Sequence, residues 1–275
     1  MAVMEKRAGA PARRVEVTIA GHVAEVRLDR PDKHNALDYE MFAAINAAID
    51  RLAAEPSVRA VVLHGAGPSF CSGLDLAGFA AGGRRFGDMF SRREGEDANL
   101  AQRVSYGWQL LPAPVICAVH GSCLGGGAQI ALGADVRIVA PDATVSIREV
   151  HWGLVPDMGI TRSLPRLVRF DVAKELVLTA RTISGEEAVR VGLATTVSSE
   201  PLAAARELAA EIAARSPDAT RRGKALLERA WGMSAAESLA LEEELQRELL
   251  GSPNQVRAVE AGMGGSPGDF DDPPG

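Results

Sequence analysis

The chain has 275 residues, 47% hydrophobic and 24% charged, with 30 Lys+Arg against 36 Asp+Glu for a formal net charge of −6. That length suits one larger domain with a sizeable core, and an acidic balance with no basic block excludes nucleic acid as a main partner. No apolar run approaches the ~20 residues of a membrane span and residues 1–14 hold no signal core, so the expectation is a cytoplasmic protein with no membrane partner.

Residues 1–13, rich in Ala, Arg and Pro, read as a flexible leader, and 263–275 as a flexible tail. Val15 to Asp29 reads as two strands joined at Gly21-His22. Pro31 ends the second, and Asp38 is placed to cap a helix whose apolar residues Met41, Phe42, Ile45 and Ile49 recur at helical spacing. VRAVVLHGAG, after Pro56, is a continuous apolar run that suits a strand buried on both faces. Residues 77–111 carry little pattern and read as a mobile loop followed by a helix from about Asn99 to Leu111, a lid or wall for a pocket.

VICAVHG is a second buried strand, followed by GSCLGGGAQIAL, a glycine turn opening a helix. DVRIVAP and ATVSI are strand-like, and from about Ile160 the chain turns helical, with Ser184 and Glu187 at capping-box spacing and a short strand in LATTVS. From Pro201 to about Leu250 three helical segments are set off by Pro217 and Gly232. The alternation points to an α/β class with a helical C-terminal region. Cys71, Cys117 and Cys123 are odd in number, with no CxxC or metal spacing, so reduced core or pocket-lining thiols are expected, with no metal site.

Strand, glycine turn, helix occurs twice, at 60–76 and 115–134. Two such turns can present N–H donors to one carbonyl oxygen and so stabilise charge developing on a thioester as it becomes an enolate; glycine there also serves plain packing. A dinucleotide or P-loop reading fails for want of GxGxxG and of the P-loop lysine. Glu149 and Asp157 lie eight residues apart, with Gly153 and Pro156 between them, which argues for a loop and against one helical face. Two carboxylates facing one substrate can take and return a proton where burial raises their pKa; each can equally be a surface or capping group. His64 and His120 read as structural histidines, and His151, between the two carboxylates, either as a pocket-lining or as a solvated one.

RPDKHNALD (30–38), SFCSGLDL (69–76), VHGSCLGGGAQIAL (119–132), ADVRI (134–138) and REVHWGLVPDMG (148–159) resemble, in order and spacing, the crotonase (enoyl-CoA hydratase/isomerase) superfamily, over about residues 15–250. The resemblance implies a crotonase-type spiral of ββα units over 14–200, a helical C-terminal trimerisation region over 201–262, a homotrimer or dimer of trimers, and acyl-CoA thioesters handled without metal or redox cofactor. It places the oxyanion-hole amides on Leu74 and Gly126, and CoA contacts on Lys33, His34, Ala36 and Asp75. Hydratases of the family hold a water between two glutamates; the later matches Glu149, whereas the earlier falls on Gln129, which has no carboxylate.

Asp157 supplies a different second carboxylate, at the spacing of the dienoyl-CoA isomerase branch, although that branch also tends to carry an acid at position 129. Trp152 is placed beside the acyl pocket with Gln129. An aryl-CoA dehalogenase, with Asp157 as nucleophile, fits less well, because that branch usually lacks the glutamate and has an aromatic pocket, against 4% aromatics here. The expectation is therefore double-bond isomerisation of an enoyl- or dienoyl-CoA through a thioester enolate. Hydration with Glu149 as main acid/base is the alternative, and a non-catalytic acyl-CoA-binding scaffold a further one.

Overall fold

A computed structural model describes residues 13–78, 85–265 and 269–273. The expected hairpin forms from β1 (Val15–Ala20) and β2 (Val23–Leu28), paired antiparallel and turned by Gly21 and His22, both at positive φ. β3 (Ala60–Gly65), β4 (Val115–Val119), β6 (Val136–Val139) and β9 (Thr196–Val197) extend it in parallel, in the order β1-β2-β3-β4-β6-β9. A second sheet combines β5 (Ser122–Leu124), β7 (Thr144–Ser146) and β8 (Ile183–Ser184) in the order β5-β7-β8.

The unbroken apolar runs of β3 and β4 have a direct cause. Val61, Leu63, Val115 and Cys117 enter the main core, shared with α1 (Tyr39–Ala53) and α3 (Leu100–Leu110). Their alternates Ala60, Val62, Ile116 and Ala118 form a second cluster with Ala205 and Ala209 of α8 (Pro201–Ala213). Successive side chains point to opposite faces, so a strand covered on both sides needs every residue apolar. Helix starts follow the caps: Asp38 accepts from Met41 N at 2.8 Å, and Asn99 and Gln102 make a reciprocal capping box.

β5 lies between β4 and the glycine helix α4 (Gly126–Leu132), where the sequence suggests a single turn; three residues are too few to show a period. It runs beside residues 71–74 through the parallel bridge Cys71–Cys123, so the two glycine turns are hydrogen-bonded neighbours. The second half of the expected loop 77–111 is pinned in place: past α2 (Arg85–Asp88), Met89 is buried, and Asp50 of α1 binds Arg93 at 2.9 Å and Arg103 at 2.6 Å. Residues 79–84 and 1–12 lie outside the described part.

Beyond β7 come α5 (Ile160–Leu167), α6 (Phe170–Thr179) and α7 (Gly185–Arg190), the last capped by Ser184. The C-terminal region has the three expected helices between Pro201 and Leu250, α8, α9 (Pro217–Ala230) and α10 (Ala235–Leu249), and a further one beyond them, α11 (Pro253–Gly262). No described helix is long and apolar enough to cross a membrane.

Within the tail, residues 270–272 are anchored to the body of the fold. Phe270 is buried, its carbonyl accepts from the buried Arg59 at 2.6 Å, and Asp272 pairs with the same guanidinium at 2.9 Å. Asn254 clamps Asp271 from α11. A polar, Pro-rich composition does not reveal an anchor of one aromatic and one carboxylate. Phe270→Ala combined with Asp272→Asn is expected to cost about 2–4 kcal/mol and lower the melting temperature; an unchanged melt would show that the anchor contributes nothing.

Candidate active site

Phe42 and four stretches line a cavity of about 420 Å³: residues 72–74 with Leu76, Met89 with Phe90 and Ala101, residues 124–126, and side chains of the loop 148–158. The first and third hold Leu74 and Gly126, whose amides are the expected oxyanion donors. Leu37 donates to Gly73 O and accepts from Asp75 N, so the bridge to Leu37 uses the residues flanking Leu74 and leaves the Leu74 N–H on the other side. Gly126 opens α4, so its N–H has no partner within the helix. Both residues line the cavity, and a Cβ on Gly73, which sits at φ +87, would stand 3.5 Å from Gly126 N.

Asn35 is why the first turn holds this shape. It is fully buried at φ 54, and its side-chain amide donates to the carbonyls of Ala66, Ser69 and Phe70 at 2.8–3.1 Å and accepts from Arg30 N. The signal in the sequence was Asn within KHNAL, since Asn tolerates the left-handed region. Asn35→Ala strands three carbonyls and is expected to cost about 2–4 kcal/mol, read as a lower urea midpoint with unchanged slope.

The carboxylates come from the fourth stretch. Glu149 opens a short 3-10 turn, Glu149–Trp152, and Gly153, at φ 71, redirects the chain towards Asp157. Glu149 Oε1 accepts from Gln129 Nε2 at 2.6 Å, while Oε2 is buried without a hydrogen-bond partner. Burial raises the Glu149 pKa first of all, donation by Gln129 and the nearby backbone amides of Glu149 and Arg148 oppose this, and the charge of Asp157 raises it again. Asp157 stands at the more exposed mouth of the cavity, its pKa also raised by burial. Arg148 completes the charged lining.

The cavity thus brings together Leu74, Gly126, Glu149, Trp152 and Asp157. Gln129 is fully buried behind Glu149 and is absent from the lining, contrary to its expected place beside the acyl pocket. Trp152, 54% exposed, meets His151 edge to face. Lys33, His34, Ala36 and Asp75 lie outside the lining. His34 Nδ1 bonds Ser69 Oγ at 2.9 Å, and Asp75 accepts from Gly78 N and pairs with Arg30 at 2.8 Å, which hold its pKa below the usual range. Those contacts suit the building of the turn more than the direct binding of a ligand.

The three thiols are free and buried, with burial pushing Cys71 up to about 12, so none is a poised nucleophile. His120 bonds Gly67 O, and His64 is buried against Glu25. Among the described residues, no cluster of three or more His, Cys, Asp or Glu side chains stands where it could hold a metal.

Residues 18–263 match the family model described as enoyl-CoA hydratase/isomerase. The chain belongs to the enoyl-CoA hydratase/isomerase family. Among relatives, the mitochondrial Delta(3,5)-Delta(2,4)-dienoyl-CoA isomerase of Homo sapiens is 33% identical over 87% of this chain and 76% of its own length. The short-chain-enoyl-CoA hydratase of Clostridium acetobutylicum is 34% identical over 88% of this chain and 91% of its own. The crystal structure of an enoyl-CoA hydratase from Mycobacterium tuberculosis superimposes with a TM-score of 0.82 at 28% identity, over 95% of this chain and all of that one. Hydratases and isomerases thus both stand among the family relatives of this chain, and the crotonase spiral expected from the motifs is its fold.

Proposed function

We propose that this enzyme isomerises an enoyl- or dienoyl-CoA by moving a proton along the acyl chain. The observation that carries this reading is the pairing of Glu149 and Asp157 on one cavity, both with raised pKa, while Gln129 offers no carboxylate and sits behind the lining. The thioester oxygen accepts from the N–H groups of Leu74 and Gly126. Glu149 takes a proton from the acyl chain, the C–H electron pair enters the dienolate, and Asp157 returns a proton at another carbon. After turnover Glu149 gives up the proton it gained and Asp157, nearer to solvent, takes one up, so that both carboxyls return to their starting states. Proton transfer of this kind calls for no redox cofactor or metal.

A hydratase is the second reading, favoured by the unpartnered Glu149 Oε2, which can accept from a water. Side-by-side assays decide. A 3,5-dienoyl-CoA turned over with no hydration of a 2-enoyl-CoA supports the isomerase; the reverse result replaces it with the hydratase, and thioester binding without any turnover replaces both with a scaffold.

A homotrimer or dimer of trimers accounts for apolar side chains left exposed on the C-terminal helices and α6: Leu227 75%, Phe170 66%, Leu239 61% and Trp231 57%. Sedimentation velocity is expected to show a trimer or hexamer.

A further inference from the structure

Gln129 raises a chemical question: why an amide should be buried completely behind the proposed proton-handling carboxyl. Its side chain reaches two partners. The Met158 backbone N–H donates to Gln129 Oε1 at 2.8 Å, and Gln129 Nε2 donates to Glu149 Oε1 at 2.6 Å. The first contact fixes the second, because a backbone N–H can only meet the amide oxygen, which turns the NH2 group towards Glu149. Ser105 Oγ, bonded to the Gln129 carbonyl at 2.5 Å, holds the same residue from α3.

A carboxyl oxygen that faces a fixed donor must itself be an acceptor, whether or not the group is protonated. The proton of a neutral Glu149 then has one place left, Oε2, the oxygen with no other partner. We propose that Gln129 is a positioning residue that fixes the orientation and the protonation site of Glu149, so that Oε1 always accepts and every proton this carboxyl gains or loses is on Oε2. The inference rests on the reading of Glu149 as the group that handles the substrate proton. A glutamate at 129 would behave differently, since two carboxyls in contact share a proton between them and Oε1 ceases to be a dedicated acceptor.

The other charged groups are few. Arg148 and Asp157 share the cavity lining, and α6, packed on the Glu149–Trp152 turn, carries Asp171, Lys174 and Glu175, all exposed. Gln129 is the only side chain in hydrogen-bond contact with the Glu149 carboxyl among the described residues.

The test compares the wild type with Gln129→Leu, Gln129→Glu and Glu149→Gln, each checked for a native melt, by the pH dependence of kcat/KM on the best acyl-CoA substrate. Donation from Gln129 lowers the Glu149 pKa, so its loss in Gln129→Leu is expected to move the acidic limb up by about one pH unit. The same variant should lower kcat about tenfold with little change in KM, because the carboxyl is free to rotate. Gln129→Glu, nearly isosteric and able to keep an acceptor for Met158 N–H, should move the limb upward as well, and it carries the test if the leucine variant does not fold. A purely structural role would lower the rate and leave the limb in place. Full turnover by Glu149→Gln removes the reading on which the inference rests. An inactive Glu149→Gln with wild-type limbs in the Gln129 variants overturns the inference alone.

Discussion

Glu149→Gln is expected to lower kcat on the preferred acyl-CoA by about 10²–10⁴-fold, the range that a positioned acid or base supplies, while leaving the protein folded. The fold should survive because the new side chain is isosteric and its amide oxygen still accepts from Gln129, the one side-chain hydrogen bond to the native carboxyl among the described residues. The pH dependence gives a second readout. Burial raises the Glu149 pKa, so the carboxylate needed for proton removal is present above that value and is lost as pH falls through it. Wild-type kcat/KM should therefore fall on the acid side along a limb that the variant lacks. Turnover by Glu149→Gln at the wild-type rate on every active acyl-CoA would assign the proton to another group.

Gly73→Ala is expected to cost about 10²–10³ in kcat, the loss associated with one misplaced oxyanion donor. Gly73 stands at φ +87, and an added Cβ would lie 2.6 Å from the backbone oxygen of Leu124. That oxygen belongs to the strand leading into Gly126, so the clash cannot be relieved by a flexible side chain. Relief pushes apart the two turns that carry the Leu74 and Gly126 amides. Gly232→Ala is the control: its φ of +92 imposes similar strain, yet nothing lies within 4 Å of its added Cβ. Gly232→Ala should lose some stability and keep its kcat; equal kcat losses in both would show that strain, and not donor geometry, is what matters.

Much of the fold is written in the chain at the level of period and cap. β3 and β4 declare themselves by length and apolarity, α1 by Asp38 and its spaced apolar residues, and the C-terminal helices by composition with Pro and Gly punctuation. β5 does not, because three residues carry no period, and the anchored tail does not, because its energy comes from a few long-range contacts to Arg59. The site shows the same division. Glu149 and Asp157 are visible as carboxylates flanking a broken loop, and the glycines as a turn. The burial of Gln129 behind Glu149, the three-carbonyl clamp of Asn35 and the capture of Asp75 by Arg30 depend on residues distant in sequence meeting in space, which composition and spacing do not encode.

Gln129 also ties together the parts of the cavity that perform chemistry. It sits on the helix that Gly126 opens, bonds Glu149 on one side and holds the Met158 amide beside Asp157 on the other. The proposed oxyanion donor, the proposed base and the root of the proposed second acid are thereby fastened to one short helix, whereas Leu76 and Met89 line the cavity from segments that carry neither carboxylate. Substitutions at 76 and 89 can therefore re-tailor the accommodated acyl group over evolutionary time or in a directed library without altering the loop that carries Glu149 and Asp157, whereas changes at 154 and 155 act on that loop itself.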